Sequence, residues 1–139
     1  EYYLADAMQI LLDQGLQMQA NEVEVWKDCG KPDSLLETNK YLLENGHDNS
    51  AQVQVDGSVI VPPVNIHIDA KITNSVIGPC ATIGADCTIT SSIISDSIVE
   101  QGAQIEDTVL TQSLVGRFTS VKGQSSTFNV GDQSEIGFE

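Results

Sequence analysis

Few residues in this chain are placed to do chemistry, and the clearest of them is Asp28. It lies in Trp26-Lys27-Asp28-Cys29-Gly30, at the end of a β-branched run and beside a glycine that lets a ligand approach the backbone. A carboxylate so placed can hold magnesium, which takes one or two carboxylates together with phosphates and water. A lone D-x-G is otherwise a surface turn, with Asp28 capping the turn before the next helix. His67, in Asn65-Ile66-His67-Ile68, is a candidate general base. Its neighbours show no partner acid at a sensible spacing, and the simpler reading is a histidine on the outer face of a strand. Cys29, Cys80 and Cys87 cannot all pair, no C-x-x-C occurs, and their spacing with His47 and His67 is not that of a zinc site. Cys80 and Cys87 read as small structural residues, reduced in a cytoplasmic protein.

The elements that must position these residues announce themselves by period. Thirteen aliphatics, Val55, Ile60, Ile66, Ile72, Ile77, Ile83, Ile89, Ile94, Val99, Ile105, Leu110, Val115 and Val121, stand five or six apart. Taken in threes they repeat every 17, 17, 16 and 16 residues. A helix would space them by three or four, and a strand in an open sheet would alternate by two. A step near six in triplets describes coils with three short sides, each giving one aliphatic to a shared interior. The fold expected is mainly β, a parallel β-helix of hexapeptide repeats with roughly four coils. Ser58, Ser75, Ser92 and Thr108 occupy equivalent positions and should stack and bond along a column at or near a corner. Gly78, Gly84, Gly102 and Gly116 are expected at corners that need a permissive backbone. Phe128, Val130, Ile136 and Phe138 flank Gly131-Asp132 as a capping hairpin, completing a domain over 55–139.

Residues 1–46 do not share this step. Leu4, Met8, Leu11 and Leu12 make one face of a helix that Gly15 ends. The alternation from Gln17 to Trp26 predicts a strand. Pro32 opens a second helix with a stripe of Leu35, Leu36, Asn39, Leu42 and Leu43, closed by Gly46. Helix-strand-helix cannot bury its own apolar faces, so this part reads as a remnant of an α/β domain, poorly anchored or covered by another chain. Residues 47–54 are polar and aperiodic, which predicts a linker. The sequence opens on Glu1 and reads as a cut or C-terminal piece of a longer protein.

The runs EYYLADAMQILLDQG and VEVWKDCGKPDSLLETNKYLLENG, followed by isoleucine-rich hexapeptides, resemble the C-terminal part of a sugar-1-phosphate nucleotidyltransferase. The likeness is to glucose-1-phosphate thymidylyltransferase-like enzymes with a left-handed parallel β-helix tail. It implies a left hand for the coils and a Rossmann-like catalytic domain to which residues 1–46 belong. It also implies a magnesium-dependent reaction of a nucleoside triphosphate, dTTP by this likeness, with glucose 1-phosphate, releasing pyrophosphate. By the same resemblance Asp28 is a magnesium ligand, and Glu1 contacts the sugar hydroxyls. Ala5 and the Cys29-Gly30-Lys31 stretch depart from the family's usual threonines. The family's glycine-rich nucleotide loop and second metal aspartate do not occur in this sequence, so the resemblance implies an inactive fragment that needs no cofactor alone, with the β-helix serving oligomerisation or regulation.

The formal charge of −14, from 20 acids against 6 bases, speaks against a nucleic-acid groove and an anionic membrane surface. A homo-oligomer is the expected state. Two other functions stay open at this point: a hexapeptide-repeat acyltransferase with His67 as base, and a pure interaction module.

Overall fold

The structure, a computed structural model, describes residues 3–123. Among the described residues, helix α1 (Leu4–Asp13) and helix α2 (Pro32–Leu42) precede twelve strands, β1 to β12, of two or three residues each. The strands form three parallel sheets, the faces of a prism. Face one holds β1 (Val59–Ile60), β4 (Val76–Ile77), β7 (Ile93–Ser95) and β10 (Val109–Thr111). Face two holds β2 (Val64–Ile66), β5 (Ala81–Ile83), β8 (Ile98–Val99) and β11 (Leu114–Val115). Face three holds β3 (Lys71–Thr73), β6 (Thr88–Thr90), β9 (Gln104–Glu106) and β12 (Ser120–Lys122). Each strand pairs with the one three places on, so four coils stack as a mainly β parallel solenoid behind a small helical N-terminal part.

The thirteen aliphatics all join one core. Nine are buried, from Ile66 to Val115, while Val55, Ile60, Leu110 and Val121 are half-buried and pack against them. Register explains why the step is strict: Ile60 pairs with Ile77, Ile66 with Ile83, and Ile72 with Ile89, so each side chain rests on its equivalent one coil away. Val64, Ala81, Cys87 and Ala103 add a smaller set of buried positions that the six-residue step did not mark.

The hydroxyl column forms, with a bonding scheme other than hydroxyl to hydroxyl. The N–H of Ser75 donates to Ser58 Oγ, that of Ser92 to Ser75 Oγ, and that of Thr108 to Ser92 Oγ, each at 3.1 Å. Each hydroxyl then donates to the carbonyl two residues before it, as Ser92 does to Thr90 at 2.8 Å. Ser97 and Ser113 repeat the device at another corner. A corner cannot keep strand pairing, so its N–H groups would otherwise lack partners.

The corners correct the expectation about glycine. Left-handed backbone is carried by Asn74, Ser91 and Asp107 at one corner, by Cys80, Asp96 and Gln112 at the next, and by Asp86, Gly102 and Phe118 at the third. Short polar side chains tolerate this region because they bond locally, so glycine is needed at few of them. Gly84 and Gly116 have ordinary φ. At Gly84 a Cβ would meet Gln101 N at 2.8 Å, so that glycine serves close approach between coils and not turning.

Helix α1 ends as expected, with Gly15 at φ +81° and its N–H bonded to Leu12 O. The strand expected over Gln17–Trp26 does not form, and its residues are exposed and without regular structure. A solitary extended segment has no neighbour to accept its backbone bonds. Helix α2 starts at Pro32 and gives way to a wider turn, Leu43–His47, with Gly46 at φ +101°. The expectation that its leucine stripe is unanchored is overturned in part: Leu43 is buried, and Leu35 and Leu36 are half-buried.

The polar stretch read as a linker closes the lowest coil. Among the described residues β2 ends its sheet, and Asp48 and Asn49 take the place of a further strand. Asp48 Oδ1 accepts the N–H of Val64 at 3.0 Å; Asn49 donates its N–H to Val64 O at 2.9 Å. The Asn49 side-chain amide bonds both the N–H and the C=O of Ile66, at 3.0 and 2.9 Å. A side-chain amide has the donor and acceptor of a peptide, so two residues satisfy a strand edge. The hairpin expected from Phe128, Val130, Ile136 and Phe138 lies outside the described residues.

Two outcomes follow. Ile83 is 1% exposed at the middle of the stack, and Ile83→Ala is expected to cost ~2–4 kcal/mol, read as a lowered melting temperature, because a narrow core cannot close over the gap. The N–H groups of Val64 and Ser50 hold the Asp48 carboxyl below its ordinary value of 3.8. A depressed carboxylate stabilises the fold above the unfolded value and loses that contribution as pH falls through the folded one. Wild type should therefore lose stability below pH 3.8, and Asp48→Asn should flatten that part of a stability-against-pH curve.

Candidate functional site

Asp28 lies in an exposed turn held against α2. Its Oδ1 accepts the N–H of Gly30 at 2.9 Å, so it does cap the turn. Around it, Lys27 Nζ stands 4.9 Å from the centroid of the Tyr41 ring, and Cys29 Sγ bonds Thr38 Oγ1 at 3.6 Å. Lys31 N–H donates to Ser34 Oγ at 3.3 Å across the first helical turn. One short segment is thus tied at three points to a single helix. Only Oδ1 of Asp28 is engaged among the described residues, which leaves the second carboxylate oxygen for a cation.

Helix α2 in turn is fixed to the solenoid. Thr82 Oγ1, outward on β5, donates to Asn39 Oδ1 at 2.6 Å, and Asn39 Nδ2 donates to Cys80 O at 3.4 Å. Asn39 was legible only as a polar break in a leucine stripe, and the structure shows it to be the docking residue. Between α2 and the solenoid runs a groove of about 540 Å3 lined by Asp33, Leu36, Glu37, Lys40, Asp96 and Gln112. Three carboxylates against one lysine make it a poor seat for phosphates.

Glu1 lies outside the described residues. No group of three or more His, Cys, Asp and Glu able to hold a metal ion occurs among the described residues. Among the described residues Asp28 stands as a single carboxylate donor. Cys80 and Cys87 are buried free thiols, and burial pushes both above their ordinary value, so neither is a nucleophile near neutrality. The structural reading of both cysteines fits these surroundings.

His67 does have an acid beside it, contrary to what its neighbours in sequence suggested. Asp69 Oδ2 is 3.5 Å from Nδ1, two residues along a turn. The same Nδ1 accepts the N–H of Asp69 at 3.2 Å. A ring nitrogen that accepts an N–H carries the lone pair, which leaves the proton of the neutral ring on Nε2. A general base oriented by an acid needs the opposite tautomer, with Nδ1–H on the carboxylate and Nε2 free. His67 lines a hollow of about 210 Å3 at the lower end of the solenoid, with Asn49, Gln52, Val55, Ile66 and Ala70.

Residues 49–105 match the family described as GlmU-like, C-terminal hexapeptide. The match begins at Asn49, the residue that closes the lowest coil, and ends within β9. The hexapeptide description fits the repeating coils of the solenoid. A comparison with curated proteins gives no match. No helix among the described residues is long and apolar enough to cross a membrane.

The Asn39 contact makes a prediction. Asn39→Ala and Thr82→Val should each loosen α2, seen as faster amide exchange from Pro32 to Leu42, while exchange in β6 and β9 stays slow. The double mutant should show a coupling of about 0.5–3 kcal/mol, as expected of residues in one hydrogen bond. Additive effects would mean that α2 is held elsewhere.

Proposed function

We propose that this chain is the C-terminal part of a cytoplasmic sugar-1-phosphate nucleotidyltransferase. It would join dTTP and glucose 1-phosphate to a nucleoside diphosphate sugar and release pyrophosphate. The solenoid serves its assembly or regulation. The observation that supports the reading most is the continuous path from Asp28 through α2 to the hexapeptide coils. The Asp28 turn is stapled to α2, and α2 is bonded to the solenoid through Asn39 and Thr82. A segment with the W-x-D-x-G pattern and a hexapeptide array are then one mechanical unit.

In this reading Asp28 holds magnesium in the intact enzyme, and Glu1 takes the sugar hydroxyls. Magnesium, when bound, offsets charge on the phosphate oxygens. The part played by Asp28 is to present one oxygen while its other oxygen keeps the turn closed on Gly30. Lys27, tied to Tyr41, keeps the carboxylate from swinging away with the loop. An acyltransferase centred on His67 is the weaker reading, because its Nδ1 already accepts the N–H of Asp69 and the Asp69 carboxylate stands off at 3.5 Å.

The substitution Asp28→Asn separates chemistry from folding, because asparagine retains an acceptor for Gly30 N–H. In the intact enzyme it should lower pyrophosphate release by ~10²–10⁴ with the melting temperature unchanged. Near-normal turnover would remove the metal assignment. The 139-residue chain should release no pyrophosphate on its own.

A further inference from the structure

Of the seven asparagines in the sequence, Asn45 is the one followed by glycine. The pair falls where α2 stops. Asn45 (φ −115°, ψ 45°) and Gly46 (φ +101°) have left helical geometry, and both are exposed. A Cβ on Gly46 would meet nothing within 4 Å, so the peptide between the two residues is uncrowded. Among the described residues the Asn45 amide makes one hydrogen bond, from Nδ2 to Tyr41 O at 2.7 Å.

We propose that Asn45-Gly46 is a site of spontaneous modification, converting to isoaspartate and aspartate through a cyclic imide. The Gly46 nitrogen gives its proton to solvent and attacks Asn45 Cγ. The new Cγ–N bond closes a succinimide ring, the Cγ–Nδ2 bond breaks, and Nδ2 takes up a proton and leaves as ammonia. Water then opens the ring. Hydrolysis at Cγ gives aspartate, and hydrolysis at the backbone carbon gives isoaspartate, whose main chain runs through Cβ. The fold withholds this reaction from the two Asn-Ser pairs. The Asn49 amide is held at both ends by Ile66, and the N–H of Ser50 is bonded to Asp48 Oδ1 at 2.9 Å. After Asn74, Ser75 is 3% exposed and its N–H is bonded to Ser58 Oγ. Asn45 can turn its Cγ onto the next nitrogen by opening a helix end, which costs little, and without breaking a strand pair.

Both products remove the bond to Tyr41, because a carboxylate has no hydrogen to donate to a carbonyl. The new charge also stands at the negative end of α2, beside Glu44. In the isoaspartate the chain gains a backbone carbon between buried Leu43 and His47, whose carbonyl is held by Asn65 Nδ2 at 2.8 Å. That slack loosens the end of α2. Tyr41 also lies under Lys27, so the Asp28 turn is tied to the helical turn that loosens.

Incubation of the folded full chain at mildly alkaline pH should take its charge from −14 to −15, one neutral amide having become one carboxylate. Fragmentation of the tryptic peptide from Tyr41 to Lys71 in a mass spectrometer should place the change at Asn45 and show isoaspartate beside aspartate. The rate at Asn45 should be similar in the folded chain and in urea. Asn49 and Asn74 should each be slowed at least ~10-fold by folding, because their bonds must open first. Asn45→Gln should abolish the new acidic species. Asn45→Asp should speed amide exchange from Asn39 to Leu42 and leave β6 and β9 unchanged. A folded chain that keeps Asn45 intact while the chain in urea loses it would overturn the proposal, as would conversion at Asn49 or Asn74 ahead of Asn45. An Asn45→Asp chain whose α2 exchanges like wild type would overturn the loosening.

Discussion

A chain that turns a corner every five or six residues cannot bond its backbone within its own coil. Every N–H and C=O on a strand must find its partner in the coil above or below. The whole molecule follows from that dependence. It demands that coils match in length, or pairs such as Ile60 with Ile77 and Ile77 with Ile94 would drift out of line. It demands a way to satisfy the corners, where strand pairing lapses, and the Ser58–Ser75–Ser92–Thr108 column supplies it. The hydroxyl suits this post because it accepts from one coil and donates to its own, so each serine joins two levels of the stack.

The same dependence leaves the lowest coil exposed on one edge. Asp48 and Asn49 answer it with side chains in place of backbone. This explains why a stretch without apolar pattern is fixed to β2 by five hydrogen bonds when the bond from Asn65 Nδ2 to His47 O is included. It also binds the helical segment to the solenoid, since the turn Leu43–His47 runs directly into this cap.

What could be read from the sequence was whatever the interior constrains. The thirteen aliphatics were legible because a narrow dry core admits little else at Ile77, Ile83 or Ile94. The corners were read through glycine, and Asn74, Asp96 and Asp107 show that short polar residues do the same work there. The strand read at Val23 and Val25 failed because β-propensity needs a partner, which no pattern within the segment can provide. Asn49 carried no signal at all, since an amide acting as backbone has no period. At the candidate site, Asp28 was found through its neighbours Trp26 and Gly30. Its staple to α2 through Lys27 and Tyr41 joins residues fourteen apart, beyond what spacing reveals. The tautomer of His67 depends on a backbone N–H, and a sequence does not display which way that points.

Phe118 lies over Gly102 in the adjacent coil, where a Cβ would come within 2.5 Å of its ring. The coils look like copies, but this pair is not interchangeable. If the lower coil were duplicated, glycine would rest on glycine and a gap would open. If the upper one were duplicated, two aromatic rings would compete for the space of a single hydrogen atom. An array of this kind can be lengthened by gene duplication only at coils whose corner residues ignore their neighbours. Lengthening here requires the pair to be inherited together.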